Sequence, residues 1–334
     1  MGTWNYLLGS PGASGFGSKS TAEEVTAGLD LSSHTAIVTG ATSGIGLETA
    51  RVLAKRGARV IIPARNLKAA TRVRAEIVKD VPGAKVETAE LDLSSLKSVR
   101  KFAAEFTSQK QPLNILINNA GVLRTSFKLS EDGMELQFAT NHLGHFLLTN
   151  LLLETMISTA QDSGIEGRIV MVSSEAHWFA KDGINFNKLL EKNRSVELRP
   201  VTYGVSKLAN ILHSKELARR LKERGAKLTV NALHPGVILT NISQDCPLAI
   251  TEAYLHLLSV FMKTIPQGAA TTCYIAAHRD LANVSGKYFL DCNEASCSPV
   301  ADNIELARKL WIFSEDYITR RHVIYSNHQL LALS

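Results

Sequence analysis

The chain of 334 residues is poor in cysteine, with four, and in proline, with nine, and it lacks any long uninterrupted apolar run. Cys246, Cys273, Cys292 and Cys297 are too few and too irregularly spaced for a disulfide scaffold or a zinc site, so a reducing compartment is expected and no metal. The most apolar stretch, Leu248 to Met262, is broken by Glu252 and His256 and falls short of the ~18 residues that span a bilayer. The protein therefore reads as soluble, or at most peripheral to a membrane. No linker rich in Pro, Gly or Ser divides the middle of the chain, which argues for one domain. Zinc-finger spacings and aromatic-studded basic patches are also missing, so the formal net charge of +6 does not point to nucleic acid. The basic residues are spread over helical segments such as Lys68 to Lys79 and Lys215 to Lys227, where solvated helix faces account for them.

Residues 1 to 29 start with an apolar stretch, Trp4 to Leu8, but no basic region precedes it, so a secretory signal is not expected. Tyr6 stands where a myristoylation pattern needs Ser or Thr. Serine content favours a transit peptide, whereas Glu23, Glu24 and the lack of arginine oppose one; a flexible arm packing on the domain is the other reading. With 45% hydrophobic and 20% charged residues, the chain as a whole has the composition of an ordinary globular protein.

What is present begins at Thr35. A short β-rich run, Thr35 to Thr39, leads into Gly40-Ala41-Thr42-Ser43-Gly44-Ile45-Gly46 and then a helical pattern from Leu47 to Arg56. Strand, glycine turn and helix in that order aim backbone amides and the positive helix end at one point, which suits a pyrophosphate. The spacing is G-x-x-x-G-x-G rather than G-x-G-x-x-G, so the match to a dinucleotide site rests on mechanism. A turn serving only as a tight connection is the plainer alternative. Alternation continues with strand Arg59 to Ile62, helix Leu67 to Lys79, strand Lys85 to Leu91, helix Leu96 to Phe106 and strand Asn114 to Ile117. That order predicts a single doubly wound α/β domain of Rossmann type, a parallel sheet with helices on both faces, over residues 30–320. Functional residues are then expected at the carboxyl ends of the strands.

The end of the second strand bears on the cofactor. An acidic residue there suits the ribose of NAD, whereas the 2′-phosphate of NADP needs a cation. The run Ile62-Pro63-Ala64-Arg65-Asn66 puts Ala64 at the acidic position and Arg65 next, which favours NADPH through bidentate guanidinium contact. Asp92-Leu93 follows the third strand and Asn118-Asn119-Ala120-Gly121 the fourth, both in reach of a cofactor across the sheet edge. Helix capping and turn formation explain the same residues structurally. A helix from about Gly133 to Ile157 carries Asn141, a mediocre helix former that needs a reason to be there. Strand Arg168 to Val172 ends in Ser173-Ser174.

Tyr203-Gly204-Val205-Ser206-Lys207 then opens a long amphipathic run. Residues four apart share a helix face, so the phenol and ammonium lie side by side, and the cation is expected to pull the tyrosine pKa down from about 10. Alone, such a pair occurs on many solvated helices.

Thr39-Gly40-x-x-x-Gly44-x-Gly46, Asn118-Asn119-Ala120-Gly121, Asn141, Ser174 and Tyr203-x-x-x-Lys207 together resemble the short-chain dehydrogenase/reductase family, over roughly residues 34 to 290. Asn141 to Phe146, Ser206 to Asn210 and Leu233-His234-Pro235-Gly236 resemble its retinol dehydrogenase branch, and in particular plant members related to the dehydrogenase of the chloroplast import translocon. The resemblance implies Tyr203 as general acid or base, Lys207 as its partner and nicotinamide-ribose contact, Ser174 as donor to the developing alkoxide, and Asn141 as holder of a proton-relay water. It also implies Gly40, Thr42, Ser43, Gly44, Ile45 and Gly46 at the phosphates, Arg65, Asp92, Leu93, Asn119 and Ala120 on the adenosine side, and Thr240 at the carboxamide. A location in the cytoplasm or at the chloroplast inner envelope follows, not secretion.

Pro200-Val201-Thr202 before the tyrosine departs from related plant sequences and bears on the substrate wall. The apolar segment within about 240–265 is expected to be a substrate lid for an apolar carbonyl or alcohol, although packing on a second subunit, a homodimer, would need the same pattern. His142, His145, His177 and His234 lack metal-ligand spacing and read as structural. Ile304 to Phe313 forms a basic amphipathic helix for which core packing is the default and a calmodulin-like partner the alternative, ahead of a tail at 321–334. The functional expectation is an NADPH-dependent carbonyl reductase; the rival is an NADPH-binding, redox-sensing regulatory subunit of a plastid membrane complex.

Overall fold

A computed structural model describes residues 7–123, 127–191, 199–238 and 262–332, with backbone alone at 199, 200 and 323–332. One sheet runs through the molecule. Its strands are β1 (Thr35–Val38), β2 (Arg59–Ala64), β3 (Val86–Glu90), β4 (Ile115–Asn118), β5 (Gly167–Val172), β6 (Leu228–His234), β7 (Tyr288–Leu290) and β8 (Asn293–Glu294). They lie in the order β3-β2-β1-β4-β5-β6-β7-β8, all parallel until β8 pairs antiparallel to β7. The helices are α1 (Gly44–Lys55), α2 (Leu67–Asp80), α3 (Leu96–Ser108), α4 (Gly144–Ser163), α5 (Arg199–Glu223), α6 (Ile265–Ala277) and α7 (Ile304–Ala332). The expected doubly wound α/β architecture is what forms.

The central strands read as unbroken apolar runs because both faces are covered: β1, β4 and β6 are buried throughout. On one face Val99, Phe102, Leu147, Leu212 and Leu310 bring α3, α4, α5 and α7 into a common core. On the other, Leu53, Val73, Ile275 and Val25 join α1, α2, α6 and a one-turn helix at Ala22–Val25. Residues 16–26 lie closely on this second face. Phe16 meets Tyr274 and His278 edge-on at 5.7 and 5.6 Å, and Glu23 pairs with Arg51 at 2.6 Å and Lys55 at 2.8 Å.

Between β4 and α4 the chain departs from the expected uninterrupted helix. Gly133 sits in a turn at φ +82°, and helical structure starts only at Leu136, where the Glu135 carboxylate accepts from the backbone N–H groups of Gln137 and Phe138. Residues Ala139–Leu143 then form a π-turn, with Asn141 in its middle. Gly144 follows because a Cβ there would lie 2.2 Å from the carbonyl oxygen of Leu93, so the helix presses directly on the loop after β3.

Helix α7 buries Ala307, Leu310, Trp311 and Ile318, and the Tyr317 hydroxyl donates to Asp132 O at 2.6 Å. Within Ile304 to Phe313 the core thus takes Ala307, Leu310 and Trp311, while Ile304 and Ile312 stay exposed. Arg51, Arg219 and Arg220 are ion-paired to neighbouring carboxylates, as solvated faces should be. Cys273, Cys292 and Cys297 are buried thiols, while Cys246 lies outside the described residues. Among the described residues no helix is long and apolar enough to cross a membrane.

Candidate active site

Strand order reverses direction between β1 and β4, and there, beyond the carboxyl ends of the strands, lies a cleft of about 490 Å³. Its floor is the β1–α1 turn. Gly40 has φ +67° and Gly44 φ +58°, conformations that side chains rarely adopt. Gly46 is required by contact instead: a Cβ there would lie 2.4 Å from Gly40 O and 2.5 Å from Asn119 Nδ2. Ser43 takes the N-cap position of α1 without using its hydroxyl to cap, so the first amides of the helix face the cleft together with a free hydroxyl.

Thr39 holds this turn to the end of β4. Its Oγ1 accepts from the backbone N–H of Asn119 at 2.9 Å and of Ala120 at 3.0 Å, and it meets His145 Nε2 at 2.9 Å. Asn119 Nδ2 donates in return to Thr39 O at 2.8 Å. His145 Nδ1 lies 3.1 Å from Asn141 O, so a neutral imidazole protonated on Nδ1 donates to that carbonyl, and its bare Nε2 shares the Thr39 hydroxyl proton with Ile117 O, 3.2 Å from the same oxygen. Burial pushes His145 down to about 4, which keeps it neutral. Neither Thr39 nor His145 was singled out from sequence as a site residue; only the tertiary contact reveals them.

Arg65 follows β2 at the far wall, exposed, with no acidic partner among the described residues. Asp92 and Leu93 line the same end. Asp92 Oδ1 accepts from Ser94 N at 2.9 Å and Ser94 Oγ at 2.7 Å, the turn-forming role that its position allowed. Thr42, Ile45 and Ala120 also border the cleft, whereas Thr240 lies outside the described residues, as does most of the expected lid.

At the opposite end α5 brings Tyr203 and Lys207 against the end of β5. Lys207 Nζ donates to Val172 O at 3.0 Å and sits 5.5 Å from the centre of the Tyr203 ring. Burial lowers the ammonium to about 8. Burial raises the Tyr203 phenol to about 12, against a smaller downward pull from its hydrogen bond with Ser174. The sequence suggested a phenol drawn down by its lysine. In the folded cleft desolvation of the phenolate wins instead, although the ring keeps some contact with solvent.

Ser174 caps the short turn Glu175–Phe179, accepting from Ala176 N at 3.2 Å. That turn rests on the start of α5 so closely that a Cβ on Gly204 would lie 2.4 Å from Ala176 O. Asn141 does not border the cleft. Its Oδ1 accepts from Val122 N at 2.7 Å, and its Nδ2 donates to Val122 O at 3.0 Å and Ser206 Oγ at 3.0 Å, so it holds a wall residue to the catalytic helix. His142 and His177 are buried behind the site. His234 lines the cleft, pushed down to about 3 chiefly by burial.

The glycine turn with no room for a Cβ at Gly40 and Gly46, the N-terminus of α1 at the cleft floor and Arg65, which has no acidic partner among the described residues, fit a dinucleotide with its phosphates on α1. The comparisons agree. The profile described as short chain dehydrogenase matches residues 34–184. Short-chain dehydrogenase TIC 32 B, chloroplastic, of Brassica napus is 54% identical over 316 residues, 94% of this chain and 98% of the relative. Retinol dehydrogenase 12 of Mus musculus is 42% identical over 286 residues, 86% of each chain. A solved structure of a variant of actinorhodin polyketide ketoreductase with NADPH superposes with a TM-score of 0.60 at 25% identity, over 78% of this chain and 97% of its own. Relatives alike over most of their length make this chain a member of the short-chain dehydrogenase family and an NAD(P)-dependent oxidoreductase.

Proposed function

We propose that the protein uses NADPH to reduce an aldehyde or ketone on an apolar small molecule, reversibly, with Tyr203 as the proton donor. The observation that carries this reading is one continuous cleft with Arg65 at one end and Ser174, Tyr203 and Lys207 at the other. NADPH, when bound, supplies the hydride. The protein's own part is the proton and the developing charge. A phenol near 12 stays protonated at neutral pH, so Tyr203 is poised to give its proton to an alkoxide as that charge forms. Ser174 would donate a hydrogen bond to the same oxygen, and Lys207, still mostly ammonium at pH 7, stabilises the tyrosinate left behind. Asn141 keeps the wall at Val122 and the turn of α5 at Ser206 in register, the ground on which a relay water would sit.

Arg65 supports NADPH over NADH, because a solvent-facing guanidinium beyond β2 can grip a 2′-phosphate and has no carboxylate to neutralise it among the described residues. Trp178 at 44% and Phe179 at 58% exposure, in the turn after Ser174, and Val237 at 49%, between the cleft-lining Gly236 and Ile238, leave apolar surface on segments next to the cleft, which supports an apolar substrate. Chloroplast residence belongs to the same reading and is supported by the 54% identical chloroplastic relative; a fluorescent fusion excluded from plastids would remove it.

The test is oxidation of NADPH and NADH by the purified protein with terpenoid, steroid, retinoid and simple aromatic carbonyls. Turnover with NADPH is expected for at least one class, and Tyr203→Phe should lower it by roughly 10²-fold or more with NADPH binding intact. Retained turnover in that variant would sink the assignment. Tight NADPH binding without turnover on any carbonyl would favour the rival reading, a regulatory NADPH-binding subunit of a plastid membrane complex.

A further inference from the structure

We propose that His177 is a positioning residue that sets the catalytic turn by tying Ser174 to the segment entering α7. The inference rests on the role given above to Ser174. His177 is fully buried, three residues beyond that serine. Its Nδ1 lies 2.7 Å from the carbonyl oxygen of Ser174, and its backbone N–H donates to the same oxygen at 3.1 Å. Its Nε2 lies 3.0 Å from the backbone N–H of Ser298, 121 residues away in sequence.

These contacts define the proton. A backbone N–H can only donate, so Nε2 must be the bare nitrogen; Nδ1 then carries the hydrogen and donates to the Ser174 carbonyl. The ring is clasped by Tyr288, 5.3 Å away and edge-on, and burial lowers its basicity, so the neutral form prevails. Among the described residues Ser174 is otherwise held by its own turn and by its bond with Tyr203. Two donors on one carbonyl, one of them anchored to a remote strand connection, hold the serine hydroxyl toward Tyr203 before any substrate arrives. Ser298 thus chooses the tautomer, and the tautomer orients the serine.

Two conservative replacements separate the ends of this tie. Asparagine places an N–H where Nδ1 is, and glutamine places an oxygen near Nε2. His177→Asn should therefore keep the donor to Ser174 and most of kcat, whereas His177→Gln should lose roughly tenfold in kcat with the dissociation constant of NADPH unchanged. Ser298→Pro removes the N–H at a backbone conformation, φ −64° and ψ 150°, that proline accepts. With ¹⁵N-histidine labelling, His177 should show the Nδ1–H tautomer in the wild-type protein and lose it in Ser298→Pro, a readout independent of turnover. Melting temperatures confirm that each variant is folded. Equal activity losses in the Asn and Gln variants, a loss that tracks NADPH affinity, or an Nε2–H tautomer in the wild-type protein would each overturn the proposal. If no carbonyl is turned over at all, the NMR result still decides the tie on its own.

Discussion

The two ends of the cleft are built from different materials. At the glycine turn the cleft is bordered by backbone at the start of α1, packed so closely that Gly46 has no room for a Cβ beside Gly40 O and Asn119 Nδ2. At the other end they are side chains, Ser174, Tyr203 and Lys207: Ser174 accepts from its own turn at Ala176 N and bonds Tyr203 on α5, and Lys207 reaches Val172 O at the end of β5. A backbone site is specified by a few neighbouring residues and tolerates little change at those residues. A side-chain site is specified by long-range contacts and is sensitive at positions that never touch the ligand, such as Gly204 and His177.

The sharpest way to break this comparison is a pair of glycine substitutions. Gly46→Ala would drive a methyl group against Gly40 O and Asn119 Nδ2, neither free to move, and should weaken NADPH binding by roughly 30- to 100-fold. Gly204→Ala would push the Ser174 turn away from α5 at Ala176 O, and should lower kcat by roughly as much with cofactor affinity unchanged. Isothermal titration and steady-state kinetics on both variants check the split; a Gly204→Ala protein that loses NADPH affinity in step with kcat would mean that the ends are not separable.

A smaller effect is expected at Arg65. Arg65→Ala should cost roughly tenfold in NADPH affinity and leave NADH unaffected, measured by cofactor titration. An equal loss for both cofactors would show that the guanidinium meets something other than a 2′-phosphate.

The smallest effect concerns His145, which joins the two ends through Thr39 and Asn141. Its imidazole is held down to about 4 by burial, so below its ordinary value the unfolded chain takes up a proton that the native protein refuses. Stability must then fall as pH falls, by about 1 kcal/mol from this residue between roughly pH 6.5 and 5.5, with the loss complete near 4. Urea midpoints for the wild-type protein and His145→Gln should show a shallower acid loss in the variant; parallel curves would remove His145 as the source.

Much of this was legible beforehand, and the reasons are local. Strand, glycine turn and helix around Gly40 to Gly46 are written in contiguous residues, as are the Tyr203-x-x-x-Lys207 spacing and the change from Ala64 to Arg65 at the end of β2. The π-turn at Ala139–Leu143 was not, and neither was the close packing of the next residue, Gly144, on Leu93 O, a contact between segments far apart in the chain. Asn141 was rightly marked as an odd helix residue, but its bonds to Val122 and Ser206 lie 19 and 65 positions away. The direction of the Tyr203 shift was also hidden. A neighbouring cation can be read from spacing, but the water that burial removes cannot.

By itself, then, the sequence determined the doubly wound sheet, the glycine turn after its first strand and the helical spacing of Tyr203 and Lys207, because alternation, glycine placement and helical periodicity act over a few residues. Only the tertiary structure decided that burial outweighs the lysine at the phenol, that Asn141 stands behind the cleft wall, and that Thr39, His145 and His177 bond across distant segments. Each of these follows from desolvation or from a hydrogen bond between segments that the chain brings together only when the sheet has formed.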